Sequence, residues 1–125
     1  MTTGFLTDDR EPALSLEIRG PDGARSFDAV VDTGFTGALI LPAPWIDALG
    51  LPQFGTEPVV LADGSQTVSP VYQGYVILEG DVHEAVVAEG PTPLLGTDLL
   101  WGHSLHVAFE PGGSVELNTL SPPPA

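Results

Sequence analysis

Apolar and polar residues alternate with a period of two along most of this chain, in short runs. Leu14-Ser15-Leu16-Glu17-Ile18-Arg19 alternates strictly and predicts a half-buried strand. Gly20-Pro21-Asp22-Gly23 is a turn that returns the chain into a second strand, Ser26-Phe27-Asp28-Ala29-Val30-Val31. Val59-Val60-Leu61 and Gln66-Thr67-Val68 flank Asp63-Gly64, which predicts a hairpin with a primed two-residue turn. Tyr72 to Leu78 and Val82 to Ala88 predict two further strands, and Ser104 to Glu110 with Ser114 to Leu120 a last hairpin. Helical spacing is brief. Pro42 and Pro44 open a piece, Pro44 to Leu49, that Gly50 closes, with Trp45, Ile46 and Leu49 toward the core. A second short helix is expected after Leu94-Leu95-Gly96, capped by Thr97 or Asp98. Leu51 to Pro58 reads as a linking loop. Short strands joined by Gly/Pro turns predict an all-β barrel or sandwich.

The ends fall outside this pattern. Residues 1–12 are polar and are expected to form a flexible segment. Residues 13–120 make one domain, because 125 residues supply a single core. The Pro-rich residues 121–125 cannot join a central strand and are expected as a flexible tail. The 42% hydrophobic content suits a folded chain. No signal-peptide layout and no bilayer-length apolar run are present, so a soluble, cytoplasmic protein is expected.

Charge and the absent residue types narrow the function. Seventeen acids stand against Arg10, Arg19 and Arg25, with no Lys, for a net charge of −14. Nothing here neutralises phosphates, so neither nucleic acid nor an anionic membrane is an expected partner. An acid-rich surface without Lys also suits a high-salt cytosol. The absence of Cys removes disulfides, thiolate metal sites and a Cys nucleophile.

The candidate chemistry lies in Val30-Val31-Asp32-Thr33-Gly34-Phe35-Thr36-Gly37-Ala38-Leu39-Ile40-Leu41. An apolar strand runs into Asp32, turns, and leaves as a second apolar strand. A carboxylate between two buried strands is costly to desolvate, which points to hydrogen bonding, function, or both. Gly34 brings its own N–H within reach of that carboxylate, and Thr33 adds a hydroxyl across a tight turn. The bland reading is an Asx-turn between strands.

Three features stand in order: the Asp32-Thr33-Gly34 loop, the Asp63-Gly64 hairpin, and Leu94-Leu95-Gly96 before a short helix. In that order the chain resembles the retropepsin-like, single-domain aspartic peptidases. Gly90-Pro91-Thr92-Pro93 is similar to the retroviral members, while Phe35-Thr36-Gly37 and Phe109-Glu110-Pro111-Gly112-Gly113 look more like small prokaryotic ones. The resemblance implies a closed β-barrel, one lobe per chain, with one or two short helices. It implies a C2 homodimer in which two Asp32 carboxylates meet, share one proton and titrate as a unit. By the same resemblance Asp32, Thr33 and Gly34 are the catalytic loop, and Thr33 braces it across the two-fold axis. Ala62, Asp63, Gly64 and Ser65 form the tip of a flap over an extended peptide or unfolded protein substrate, and Phe35, Leu94 and Leu95 shape the pockets. No metal or organic cofactor is implied. Phe35 departs from the small Ala or Ser usual after Asp-Thr-Gly, and an extra hairpin around Gly112-Gly113 departs from the retroviral dimer sheet.

Other chemistries find less support. Asp-Thr-Gly also marks enzymes that form an aspartyl phosphate, but those need a Lys. His83, His103 and His106 read better as surface or core histidines than as a metal site. No Gly-x-Ser-x-Gly elbow serves a serine hydrolase. Asp98 reads as a helix cap. The alternative to a peptidase is a catalytically inactive dimer of the same fold that binds peptide or serves as a structural module.

Overall fold

A computed structural model describes all residues, Met1–Ala125. Ten strands and two short helices follow one another as β1 (Thr2–Leu6), β2 (Pro12–Gly20), β3 (Gly23–Val31), β4 (Leu39–Leu41), α1 (Ala43–Leu49), β5 (Gln53–Val60), β6 (Gln66–Leu78), β7 (Asp81–Glu89), β8 (Leu94–Leu95), α2 (Thr97–Leu100), β9 (His103–Val107) and β10 (Ser114–Thr119). They pair in the order β5-β6-β7-β4-β8-β3-β2-β1-β10-β9, and a further β6–β2 pairing closes the six strands from β6 to β2 into a barrel. The fold is all-β, as the alternation predicts.

The alternating positions explain the closure. Leu14, Leu16 and Ile18 of β2 and Phe27, Ala29 and Val31 of β3 all point inward, with Leu14 opposite Ala29 and Leu16 opposite Phe27. Leu39, Leu41, Val76, Leu78, Val87 and Leu95 meet them in one core cluster. Val115 and Leu117 of β10 join it, so the β1-β10-β9 extension covers one side of the barrel. No polar or charged residue is buried. α1 covers another side with Ile46 and Leu49, and Trp45 lies half-buried with its ring 5.8 Å from Phe27 and the Arg25 guanidinium 3.8 Å from its centroid. Gly50, left-handed at φ 65°, ends that helix.

Four sequence expectations need correction. Residues 1–12 are not a loose end: Thr2–Leu6 pairs with β10 and β2, and β2 itself begins at Pro12. Leu51 to Pro58 is not a loop, since β5 runs through it and pairs with β6 from Gln53 to Val60. Pro58 is tolerated because β5 is an edge strand, where no second ladder needs its missing N–H. Gln66 to Leu78 is one thirteen-residue strand instead of two. Its outer half and β5 stand away from the barrel, exposed on both faces. This projecting hairpin helps raise the surface to 7204 Å², against about 6300 Å² expected of a compact chain of this mass. Finally, α2 is not capped by a side chain: Gly96 is its N-cap, and Asp98 lies in its first turn.

Candidate functional site

The Asp32 loop leaves the barrel between β3 and β4, two strands that β8 holds side by side. Val30 and Val31 pair in parallel with Leu94 and Leu95, while Leu39 and Ile40 pair antiparallel with the same two residues. Backbone bonds continue the clasp around the loop. The Asp32 N–H donates to the Leu95 carbonyl at 2.9 Å and the Gly96 N–H to Ala38 at 2.9 Å. The Thr97 N–H donates to Phe35 at 2.9 Å and the Asp98 N–H to Gly37 at 3.2 Å. The entry to α2 therefore grips the loop that carries Asp32.

Within that grip the carboxylate is half-buried, and its Oδ1 accepts the Gly34 N–H at 2.9 Å. The Phe35 N–H donates to the Asp32 carbonyl at 3.1 Å, which closes the turn. Thr33 and Gly34 are exposed although buried residues, Val31 and Ala38, flank the loop on either side. The loop thus presents one oriented carboxylate at the surface.

Phe35, the departure in the loop, lies down. A Cβ on Gly37 would come within 2.6 Å of its Cε1 and Cζ atoms, and a Cβ on Gly96 within 2.6 Å of its Cδ2. The ring occupies the space above two glycines and stacks the loop onto the α2 entry. Gly37 is the member of this arrangement that sequence reasoning passed over. Only its spacing to Phe35 pointed to it, and the spacing alone does not reveal where a ring will rest.

The other candidate residues separate into two groups. Leu94 is half-buried beside the loop. Leu95 is wholly buried opposite Leu39, so it is not a pocket wall. Its contribution is the carbonyl that receives the Asp32 N–H. Ala62, Asp63, Gly64 and Ser65 sit at the exposed tip of the β5–β6 hairpin, and no hydrogen bond joins that tip to the Asp32 loop. The turn is not the primed type. Leu61 N–H donates to the Ser65 carbonyl at 2.8 Å, Gly64 N–H to the Leu61 carbonyl at 2.9 Å, and only Gly64 has positive φ, 85°. This is a three-residue loop, a type I turn followed by a left-handed glycine.

Asp63 stiffens that tip. Its Oδ1 accepts both the hydroxyl of Ser65, at 2.5 Å, and its N–H, at 2.8 Å. The Ser65 hydroxyl and then its N–H hold the Asp63 carboxyl below its ordinary value of 3.8. A depressed folded-state value means that the bonds contribute fully above the ordinary value and are lost as pH falls through the lowered one. In an NMR titration Asp63 should therefore protonate below an ordinary aspartate, and Ser65→Ala should move it upward.

The histidines do not assemble as a trio. His83 and His103 meet edge to face with ring centroids 6.1 Å apart, while His106 is exposed on the opposite face of β9. No group of three or more His, Asp or Glu is placed to hold a metal ion. No helix is long and apolar enough to cross a membrane.

With this geometry the comparisons become informative. No protein-family model matches the chain, and no curated protein matches it in sequence. Among solved structures it is similar to EIAV protease complexed with the inhibitor HBY-793, with a TM-score of 0.57 over 75% of this chain and 88% of that one. The fold is retropepsin-like. Sequence identity in that match is 16%, so the likeness is one of backbone architecture.

Proposed function

We propose that this chain is an aspartic endopeptidase that works as a homodimer. The observation that carries the reading is the Asp32-Thr33-Gly34 turn, held at the surface of a retropepsin-like barrel by backbone bonds from β8 and α2. One chain supplies one such carboxylate, and a two-fold axis supplies the second. Two carboxylates a few ångströms apart cannot both ionise, so the pair holds one proton between them. The ionised Asp32 acts as general base on a water held between the two side chains. The protonated one polarises the scissile carbonyl and later protonates the departing amine.

The remaining candidate residues take supporting parts. Thr33, exposed at the loop tip, braces one loop against its symmetry mate. Gly34 orients the Asp32 carboxylate through its N–H. An extended peptide or unfolded segment lies across the pair as an added strand, and the Ala62-Asp63-Gly64-Ser65 tip closes over it. Leu94 and the exposed edge of Phe35 offer apolar contact. The chemistry needs no metal or organic cofactor, and the charge of −14 disfavours nucleic acid and anionic membrane. A cytoplasmic setting fits this reading.

Charge makes the dimer reading testable. Two copies bring together −28, twice the −14 of one, and salt screens that repulsion over about 10 Å at 0.1 M. Cleavage of an unbiased peptide mixture should rise with protein concentration and with salt, in step with the dimer fraction from sedimentation. A chain that cleaves while monomeric, or stays monomeric in every salt, contradicts the proposal.

A further inference from the structure

The projecting β5–β6 hairpin joins the barrel through very few residues. Residues 66–72 of β6 pair with β5 and residues 71–78 with β7, so only Val71 and Tyr72 have partners in both. Tyr72 lies opposite Gln53 on one side and Val87 on the other. The register slips at this point: Gln53 meets Tyr72 and Gly55 meets Val71, which leaves Phe54 as an extra residue in β5. Such a bulge bends its strand and increases the local twist. The Gln73 N–H, donating to the Pro52 carbonyl at 3.0 Å, completes the junction. Beyond it the hairpin stands exposed, so its direction is set at the root.

One side-chain bond crosses that root. The Tyr72 hydroxyl donates to Glu89 Oε1 at 3.0 Å, while its ring, half-buried, packs against the barrel core. Glu89 makes no ion pair, and the tyrosine is its one side-chain partner. Glu89 ends β7 and lies beside Leu41 in the parallel β4–β7 ladder. β4 is the strand by which the chain leaves the Asp32 loop. The bond therefore ties the base of the hairpin to the strand that follows the candidate catalytic loop. The bond to Glu89, then burial, push the Tyr72 phenol above its ordinary 10.0, so the donor keeps its proton at neutral pH.

We propose that Tyr72 is a positioning residue, whose hydroxyl bond to Glu89 fixes the angle at which the hairpin leaves the barrel. The inference rests on the peptidase reading above and names a device that readies the same site for peptide. Leverage makes the angle matter. Ser65, at the tip, is seven residues from Tyr72, or about 23 Å at the rise of a strand. A swing of about 5° at the root therefore carries the tip roughly 2 Å. A hairpin held at its working angle is ready before peptide arrives. Released, it spends part of its time elsewhere, and the apparent affinity falls by that fraction. Bound peptide restores the angle by pairing with the hairpin, so the chemical step is spared.

Three variants test the bond, with circular dichroism checking the fold. Tyr72→Phe keeps the ring and removes only the donor, Glu89→Ala removes the acceptor, and Glu89→Gln retains an acceptor oxygen. Tyr72→Phe and Glu89→Ala should each raise KM for peptide by about fivefold, with kcat within about twofold of wild type. Combined they should do no more than either alone, and Glu89→Gln should stay closer to wild type than Glu89→Ala. Amide hydrogen exchange reads the hairpin without substrate. Residues 53–71 should exchange about fivefold faster in Tyr72→Phe, while β2 and β3 keep their wild-type rates. Unchanged KM with unchanged exchange overturns the positioning role and leaves the peptidase reading standing. So does a fall in kcat and melting temperature with KM unmoved, the mark of a merely structural bond. A hairpin that loosens in a chain that never cleaves peptide supports the role of Tyr72 and removes the peptidase.

Discussion

Asp32→Asn should remove peptide cleavage and leave the fold and the dimer intact. The amide retains an acceptor oxygen for the Gly34 N–H, so the 2.9 Å bond that shapes the turn survives. What disappears is the proton chemistry, since an amide neither takes a proton from water nor shares one with its mate. General acid–base catalysis contributes up to about 10⁴-fold, and a loss of that order in kcat is expected with a small change in KM. Thermal unfolding and sedimentation of the variant should match wild type. A variant that cleaves at a tenth of the wild-type rate would place the chemistry elsewhere in the chain.

Gly96→Ala should be the most damaging small substitution near the site, and Gly37→Ala should resemble it until Phe35 is removed. Gly96 has φ −101°, which alanine adopts without strain, so any penalty is steric. Its added methyl would meet the Gly37 carbonyl and the Phe35 carbonyl as well as the Phe35 ring. Backbone cannot swing aside, and a loss of about 3 kcal/mol is expected, the upper end for overpacking. At Gly37 the added methyl meets only the Phe35 ring. Gly37→Ala alone should cost about 1–3 kcal/mol, and Phe35→Ala alone a similar amount from the half-buried ring. Together they should cost less than their sum, because the smaller side chain vacates the space the methyl needs. Phe35→Ala should give Gly96→Ala far less relief. Urea midpoints for the two double-mutant cycles check this, and equal relief at both glycines would mean that the ring does not sit where described.

The barrel was legible because its strands report locally. β2 and β3 alternate strictly and are joined by a turn with Gly20, Pro21 and Gly23, so pattern and punctuation agree. The Asp32 loop was legible for a similar reason: its strand, turn and strand lie within a dozen residues. What stayed hidden depends on distant partners. Thr2–Leu6 is polar and short, and becomes a strand only because β10, more than a hundred residues later, lies beside it. β5 reads as a loop around Pro58 until β6 supplies its ladder. Asp63-Gly64 suits two hairpin geometries, and the pairing of Val60 with Gln66 leaves a span that favours the longer one. The seat of Phe35 needs Gly96, sixty-one residues away, and no local pattern encodes that contact. Leu95 reads as a pocket residue from its place beside the half-buried Leu94, yet strand alternation turns it into the core.

The central claim is that one catalytic centre is built from two chains, and mixing subunits measures it directly. Wild type and Asp32→Asn are combined at fixed total concentration, allowed to exchange, and assayed for cleavage as the wild-type fraction changes. If both carboxylates are required, activity follows the square of that fraction, and an equal mixture retains about a quarter of the full rate. If each chain carries a complete site, activity falls in proportion and an equal mixture retains about half, which would contradict the account.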